Sequence, residues 1–224
     1  MKKVVSGIVR FQQESFEKRK ELFSELANGQ SPEVLFVTCA DSRIDPNLVT
    51  QTEPGDLFIC RNAGNIVPPH TRHAGGVTAS IEYAVAVLGV KDIIICGHTD
   101  CGAMKGAMNL SAVENLPHVH DWLDHSRAAV EIVEACSHEA DTDRLLKVTE
   151  QNVLLQLQHL RTHPAVAARI GIGSVGLHGW VYHIESGEVT CFDEERGEFV
   201  PLQERYATLL ASREEQSLRD GTRG

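Results

Sequence analysis

Val34-Leu35-Phe36-Val37-Thr38-Cys39-Ala40-Asp41-Ser42-Arg43 is a continuous apolar run that ends abruptly in a thiol, a carboxylate and a guanidinium. A short run of this kind reads as a strand buried on both faces. The pattern recurs at Asp92-Ile93-Ile94-Ile95-Cys96-Gly97, which runs straight into His98-Thr99-Asp100-Cys101-Gly102. Between them, 56–61 reads as a second strand, and 78–88 as an apolar helix feeding the third. Strand, helix, strand with short connections is the grammar of a parallel sheet. In such a sheet, reacting and binding groups collect at the carboxyl ends of the strands.

Working outward, Val4, Ile8, Phe11, Leu22, Phe23 and Leu26 recur at rough helical spacing with charges between them. They predict an amphipathic helix, or a pair, ending near Asn28-Gly29. Asp45-Pro46 reads as the cap and first position of a short helix through Gln51. The stretch 62–76, rich in Gly, Pro and His, is loop. Two further helices are expected over 118–136 and 143–162. A late strand within 173–184 turns through Ser186-Gly187 into a hairpin partner at 188–192, and the tail after Glu204 is charged, helical and then frayed. The expectation is one α/β domain over 1–224 with a mainly parallel central β-sheet and flanking helices. It carries an amphipathic N-terminal helical arm at about 1–28 and a C-terminal tail at about 204–224.

With 21 basic against 31 acidic residues the net charge is −10, and no Lys/Arg-rich run offsets it. That argues against nucleic acid or an anionic membrane as partner. The start resembles a signal peptide superficially, but Arg10 breaks the apolar stretch and no small-residue cleavage site follows. A cytoplasmic protein is expected. Six cysteines, scattered at 39, 60, 96, 101, 136 and 191, do not make a disulfide scaffold. Cys60, Cys96, Cys136 and Cys191 read as small buried thiols.

Two thiols and one imidazole at two strand ends match three-ligand catalytic zinc sites, which keep a fourth position for water. Soft ligands disfavour magnesium and calcium. Asp41, two residues beyond Cys39, points near the same side. It is either a fourth ligand or the group that accepts the proton of a bound water. Arg43 can hold Asp41 in a bidentate pair and so keep it off the metal.

CADSR at 39–43, Glu53-Pro-Gly-Asp-Leu-Phe-Ile-Cys-Arg-Asn-Ala-Gly-Asn65, and GHTDCGAM at 97–104 resemble the β-class carbonic anhydrases, and the resemblance continues through Leu177-His178-Gly179-Trp180-Val181-Tyr182. It is strongest to bacterial, plant-like members associated with cyanate metabolism and carboxysomes. It implies reversible hydration of carbon dioxide to bicarbonate and a proton by zinc-bound hydroxide, with one Zn2+ per chain. It assigns Cys39, His98 and Cys101 as zinc ligands and Asp41 and Arg43 as the catalytic dyad. Gln30, Phe58 and Tyr83 match substrate-pocket positions, the latter two reaching a neighbouring subunit's site in a homodimer or higher oligomer. Gly102 matches the residue whose backbone N–H faces the substrate. Where some branches carry a Trp three residues before the first ligand and let the aspartate close the metal, this chain has Phe36, so Asp41 is expected on Arg43.

Read without the family, Phe58 and Tyr83 are ordinary core residues. His70 and His73 are solvated loop residues. His118, His120, His125, His159 and His163 show no ligand spacing, and His178 is a strand residue packed in a core or interface. Two other functions use the same residues: a zinc hydrolase of the same fold acting on carbonyl sulfide or carbon disulfide, and a non-catalytic zinc-bound oligomeric module. The second is opposed by the presence of both Asp41 and Arg43.

Overall fold

The computed structural model describes residues 1–72, 75–136 and 143–212. At its centre is a six-stranded sheet. The strands are β1 (Val34–Cys39), β2 (Leu57–Asn62), β3 (Asp92–His98), β4 (Gly176–Tyr182), β5 (Val189–Asp193) and β6 (Glu198–Pro201), in the order β2-β1-β3-β4-β5-β6. β2, β1, β3 and β4 run parallel, and β5 and β6 add an antiparallel edge. The chain leaves β1 on one side to form β2, then crosses to the other side for β3. Strand order therefore reverses at the carboxyl end of β1, where an open parallel sheet leaves a crevice. Thr38 pairs with Cys96, so Cys39 and His98 finish side by side on that rim.

Burial on both faces explains why β1 and β3 are apolar without alternation. On one face Leu35, Val37, Ile93 and Ile95 pack with Val153, Leu160 and Val166 from the helices. On the other, Phe36, Ile94 and Cys96 meet Trp180.

The arm is built of α1 (Lys2–Arg10), a wider turn at Phe11–Ser15, α2 (Phe16–Lys18) and α3 (Lys20–Leu26). Phe16 stacks on Phe23 at 5.3 Å. Arg19 donates to both carboxylate oxygens of Glu53 (2.7 and 3.2 Å), and Leu26 fills the space a side chain at Gly55 would need. The apolar side of α1 stays open, with Val4 60% and Ile8 54% exposed.

α4 (Pro46–Thr50) is the capped helix expected from the sequence: Asp45 accepts from Leu48 N–H, Pro46 opens the helix and Gln51 closes it in the left-handed region. α5 (Gly76–Glu82) continues through a wide turn, Tyr83–Leu88, and Gly89 at φ 69° ends it. Further helices are α6 (Gly102–Met108), α7 (Pro117–Leu123), α8 (Arg127–Cys136), α9 (Arg144–Arg161), α10 (Pro164–Gly171) and α11 (Leu202–Arg205).

The single helix expected over 118–136 is thus two, divided by a tight turn at Asp124–Ser126. α6, α10 and β6 were not foreseen. The late strand is shorter than 173–184 because Gly173 takes φ 67° and the chain becomes extended only after it. Cys136 is exposed at the end of α8, unlike the buried Cys60, Cys96 and Cys191. His73 and the far part of the tail lie outside the described residues. Among the described residues no helix is long and apolar enough to cross a membrane.

α9 crosses β3 and β4 closely enough to need glycine beneath it. A Cβ at Gly179 would stand 2.9 Å from Val153 Cγ1 and 3.1 Å from Leu157 Cδ1. Gly179→Ala should therefore lower stability by about 1–3 kcal/mol through overpacking. A urea unfolding midpoint equal to that of the parent chain would refute this account of the α9 seat.

Candidate metal centre

β1 and β3 deliver Cys39 and His98 to the rim, and the turn after β3 returns Cys101 to the same point as the cap of α6. All three are buried, and one ligand atom from each lies within 4.8 Å of the others. Among the described residues this is the one such group of three. His98 Nδ1 donates to the Thr99 carbonyl at 2.9 Å, so the ring proton sits there and Nε2 keeps its lone pair. That Nε2 is buried with no hydrogen-bond partner. A buried orphan nitrogen beside two thiols is costly unless a cation takes its lone pair, and the donor set is that of zinc. The residues fit the metal.

The thiols are unequal. The hydrogen bond between them, chiefly, lowers Cys39 from its ordinary value, and the Gly64 N–H also reaches its sulfur at 3.3 Å. The same hydrogen bond, together with burial, pushes Cys101 up. Gly64 reaches the sulfur because it sits at φ 80° in a tight space, where a Cβ would meet Ala103 Cβ and Met104 Cε at 3.0 Å.

Asp41 lies just outside the group, its Oδ2 3.8 Å from His98 Nε2. Its carboxylate faces Arg43, accepting from the Arg43 backbone N–H (2.9 Å), Nε (2.9 Å) and Nη2 (2.8 Å). The Arg43 side chain, chiefly, holds this carboxyl well below the usual range, so Asp41 is ionised near neutral pH. Arg61 fixes the strand end by donating to the carbonyls of Cys39 (3.0 Å) and Asp41 (2.7 Å).

A second layer lies behind the loop after β2. Asn152 on α9 donates to the Gly64 carbonyl (3.1 Å), Gln156 donates to Asn152 (2.8 Å), and Gln156 Oε1 accepts from Val67 N–H (2.9 Å). Both amides are wholly buried. Sequence reading missed them, although polar residues four apart on a helix face turned toward the core were the available signal. Asp100, passed over as the interior of the ligand motif, takes the other side of Arg43.

Gly102 opens α6 beside Cys101. Gln30, Phe58 and Tyr83 are elsewhere. Phe58 pairs with Leu35, four residues before Cys39, so it lies ~13 Å back along the sheet. Its ring leans on Tyr83 at 6.0 Å, and Gln30 precedes β1 at the same amino end. Within one chain none of the three, Gln30 included, comes to the metal centre. His70 is exposed as read, while His159 and His163 are tied to the Val67 and Pro68 carbonyls. His178 is half-buried between Asp92 (2.8 Å) and Tyr206 (3.0 Å) rather than in the core.

A family model described as carbonic anhydrase matches residues 34–189. A carbonic anhydrase of Pseudomonas aeruginosa is 48% identical over 91% of this chain and 93% of its own length. Carbonic anhydrase 1 of Escherichia coli O157:H7 is likewise 48% identical, over 90% of this chain and 92% of its own. Among solved structures, the β-carbonic anhydrase CcaA superposes with TM-score 0.87 at 44% identity, covering 90% of this chain and 98% of that one. A tetrameric β-carbonic anhydrase from Sordaria macrospora gives 0.72 at 30% identity, over 84% and 94%. With the family model, the relatives and the solved structures in agreement, the chain belongs to the β-class carbonic anhydrases.

Proposed function

We propose that this chain hydrates carbon dioxide reversibly to bicarbonate and a proton, at a zinc ion held by Cys39, His98 and Cys101. The observation that carries the reading is the buried trio of soft donors with Asp41 turned away from it onto Arg43. Zinc, when bound, supplies Lewis acidity that brings a coordinated water's pKa down toward ~7.

The chain's own residues do the rest. Ionised Asp41 stands beside the ligands as a hydrogen-bond acceptor, able to orient a water. Arg43 keeps that carboxylate from becoming a fourth ligand by occupying both its oxygens. The Gly102 backbone N–H, among the first of α6, offers a donor to an oxygen gaining charge. The test is direct: metal analysis should give one zinc per chain, and stopped-flow hydration should follow zinc content. A fully zinc-loaded chain without hydration activity would defeat the reading.

The apolar pocket is proposed to form between chains. Phe58, Tyr83 and Gln30 lie at the far end of the sheet from their own Cys39, and Tyr83 and Val87 expose 45% and 67% of their surface. An aromatic patch of this kind suits a small apolar substrate in a neighbour's site, and the open stripe of α1 needs a partner surface. Complementation measures this. A chain with Cys101→Ser and one with Phe58→Ala and Tyr83→Ala should each be crippled alone. Refolded together, mixed oligomers should regain activity, because one site then has intact ligands and an intact neighbour. No regain in proven mixed oligomers would place the pocket elsewhere. A homo-oligomer working in the cytoplasm accords with this reading.

A further inference from the structure

Asp100 looks like a spacer in the sequence, yet it lies against the catalytic pair. We propose that Asp100 is a positioning residue that fixes the Arg43 guanidinium against Asp41, so that the turn carrying Cys101 also sets the dyad; this rests on the dyad reading above. Arginine offers five N–H groups in a rigid fork. One edge, Nε and Nη2, serves Asp41 (2.9 and 2.8 Å). The other edge serves Asp100: Nη1 donates to Oδ2 at 2.9 Å, and Nη2 donates to the Asp100 carbonyl at 3.1 Å. Asp41, two residues before Arg43, and Asp100, 57 residues beyond it, therefore clamp one plane from both sides.

The backbone is shaped for the task. Asp100 takes φ 58°, a left-handed conformation that few residues other than Gly, Asn and Asp adopt readily. It turns both the carbonyl and the carboxylate of one residue toward Arg43. Lys105, on the first turns of α6, donates to Asp100 Oδ1 and leaves Oδ2 for Arg43. Asp100 and Arg43 side chains are 56% and 43% exposed, so these pairs add little to stability. What they supply is orientation. Without Asp100 the Arg43 side chain is held from one edge, and its grip on Asp41 loosens.

The experiment compares zinc-loaded and cobalt-loaded forms of the parent chain, Asp100→Gly and Asp100→Asn. Glycine keeps the left-handed turn and the carbonyl and removes the carboxylate; asparagine keeps the turn and one acceptor oxygen. Zinc content and Tm should match the parent in both. For Asp100→Gly, kcat/KM should fall about 10- to 100-fold, carried by kcat, with Asp100→Asn between it and the parent. Azide titrated into the cobalt form and followed by its visible spectrum should bind more weakly in Asp100→Gly, because freed Asp41 competes for the metal. Charge alone predicts the reverse, since removing a negative group from the cleft favours an anion. Parent-like kcat/KM or tighter azide binding in Asp100→Gly would overturn the proposal. So would lost zinc, which would make Asp100 a prop of the ligand turn. A parent chain that takes up metal without hydrating carbon dioxide would fail the dyad reading itself, before any variant is compared.

Discussion

Cys101→Ser is expected to lose its zinc on dialysis and to fall to background hydration activity. Cys101 is only 1% exposed and caps α6, where its sulfur faces Cys39 and His98. A serine hydroxyl does not ionise near neutral pH and is a hard, poor zinc ligand. Four-ligand structural sites bind zinc with about 10–16 kcal/mol, so each ligand is worth about 2.5–4 kcal/mol, or roughly two to three orders of magnitude in affinity. With three protein ligands the loss of one leaves two, too few to compete with a chelator. Cys96→Ser is the matching control. Its thiol is buried two residues before His98 on β3, is pushed up to about 12 by burial, and lies outside the ligand group. That variant should keep one zinc per chain. Zinc content by elemental analysis after chelator challenge decides the matter, and full retention in Cys101→Ser would remove Cys101 from the ligand set.

What was legible in the sequence was what a single segment encodes. β1 and β3 are buried on both faces, so their apolar runs stand out, and each ends in the residues that reach the rim. The Asp45-Pro46 cap was equally local, and its geometry is as read. Boundaries failed where structure depends on distant packing. β6 is four residues, Glu198–Pro201, and exists as a strand through its pairing with β5. α10 begins at Pro164 after a capping position at His163, a signal present in the sequence but masked by the long helix before it.

The site divides in the same way. Ligand identity follows from residue type and strand-end position. The residues that orient the ligands do not announce themselves, because they act through bonds to backbone atoms far along the chain. Asn152 meets the Gly64 carbonyl 88 residues away, and Asp100 meets Arg43 across 57. No spacing rule links such pairs; the crossover that brings β1 and β3 together does. Gln30 shows the limit from the other side. It belongs to the pocket by resemblance, yet strand direction carries it to the opposite end of the sheet from its own Cys39.

Arg43→Ala should keep its zinc and lose about two or more orders of magnitude in kcat/KM, the scale on which a positioned acid–base group acts. Arg43 supplies three of the hydrogen bonds to Asp41, two from its side chain and one from its backbone, and alanine keeps only the backbone bond. The carboxylate is then ionised, nearly free, and 3.8 Å from the ligand nitrogen of His98. A carboxylate so placed is itself a good zinc ligand, and in that role it shuts the position the reaction needs. If closure causes the loss, removing the carboxylate should reopen the metal even though it removes a dyad member. The double variant Arg43→Ala, Asp41→Ala should therefore bind azide in its cobalt form, where Arg43→Ala alone binds it weakly or not at all. Charge alone also favours the double variant, since it removes a negative group, but then Asp41→Ala should improve azide binding by the same factor whether or not Arg43 is present. Arg43→Lys separates the two further, since it keeps the charge and loses the fork. Closure predicts that lysine fails nearly as badly as alanine, and near-parent activity in Arg43→Lys would show that charge, not the two-point grip on Asp41, is what the reaction requires.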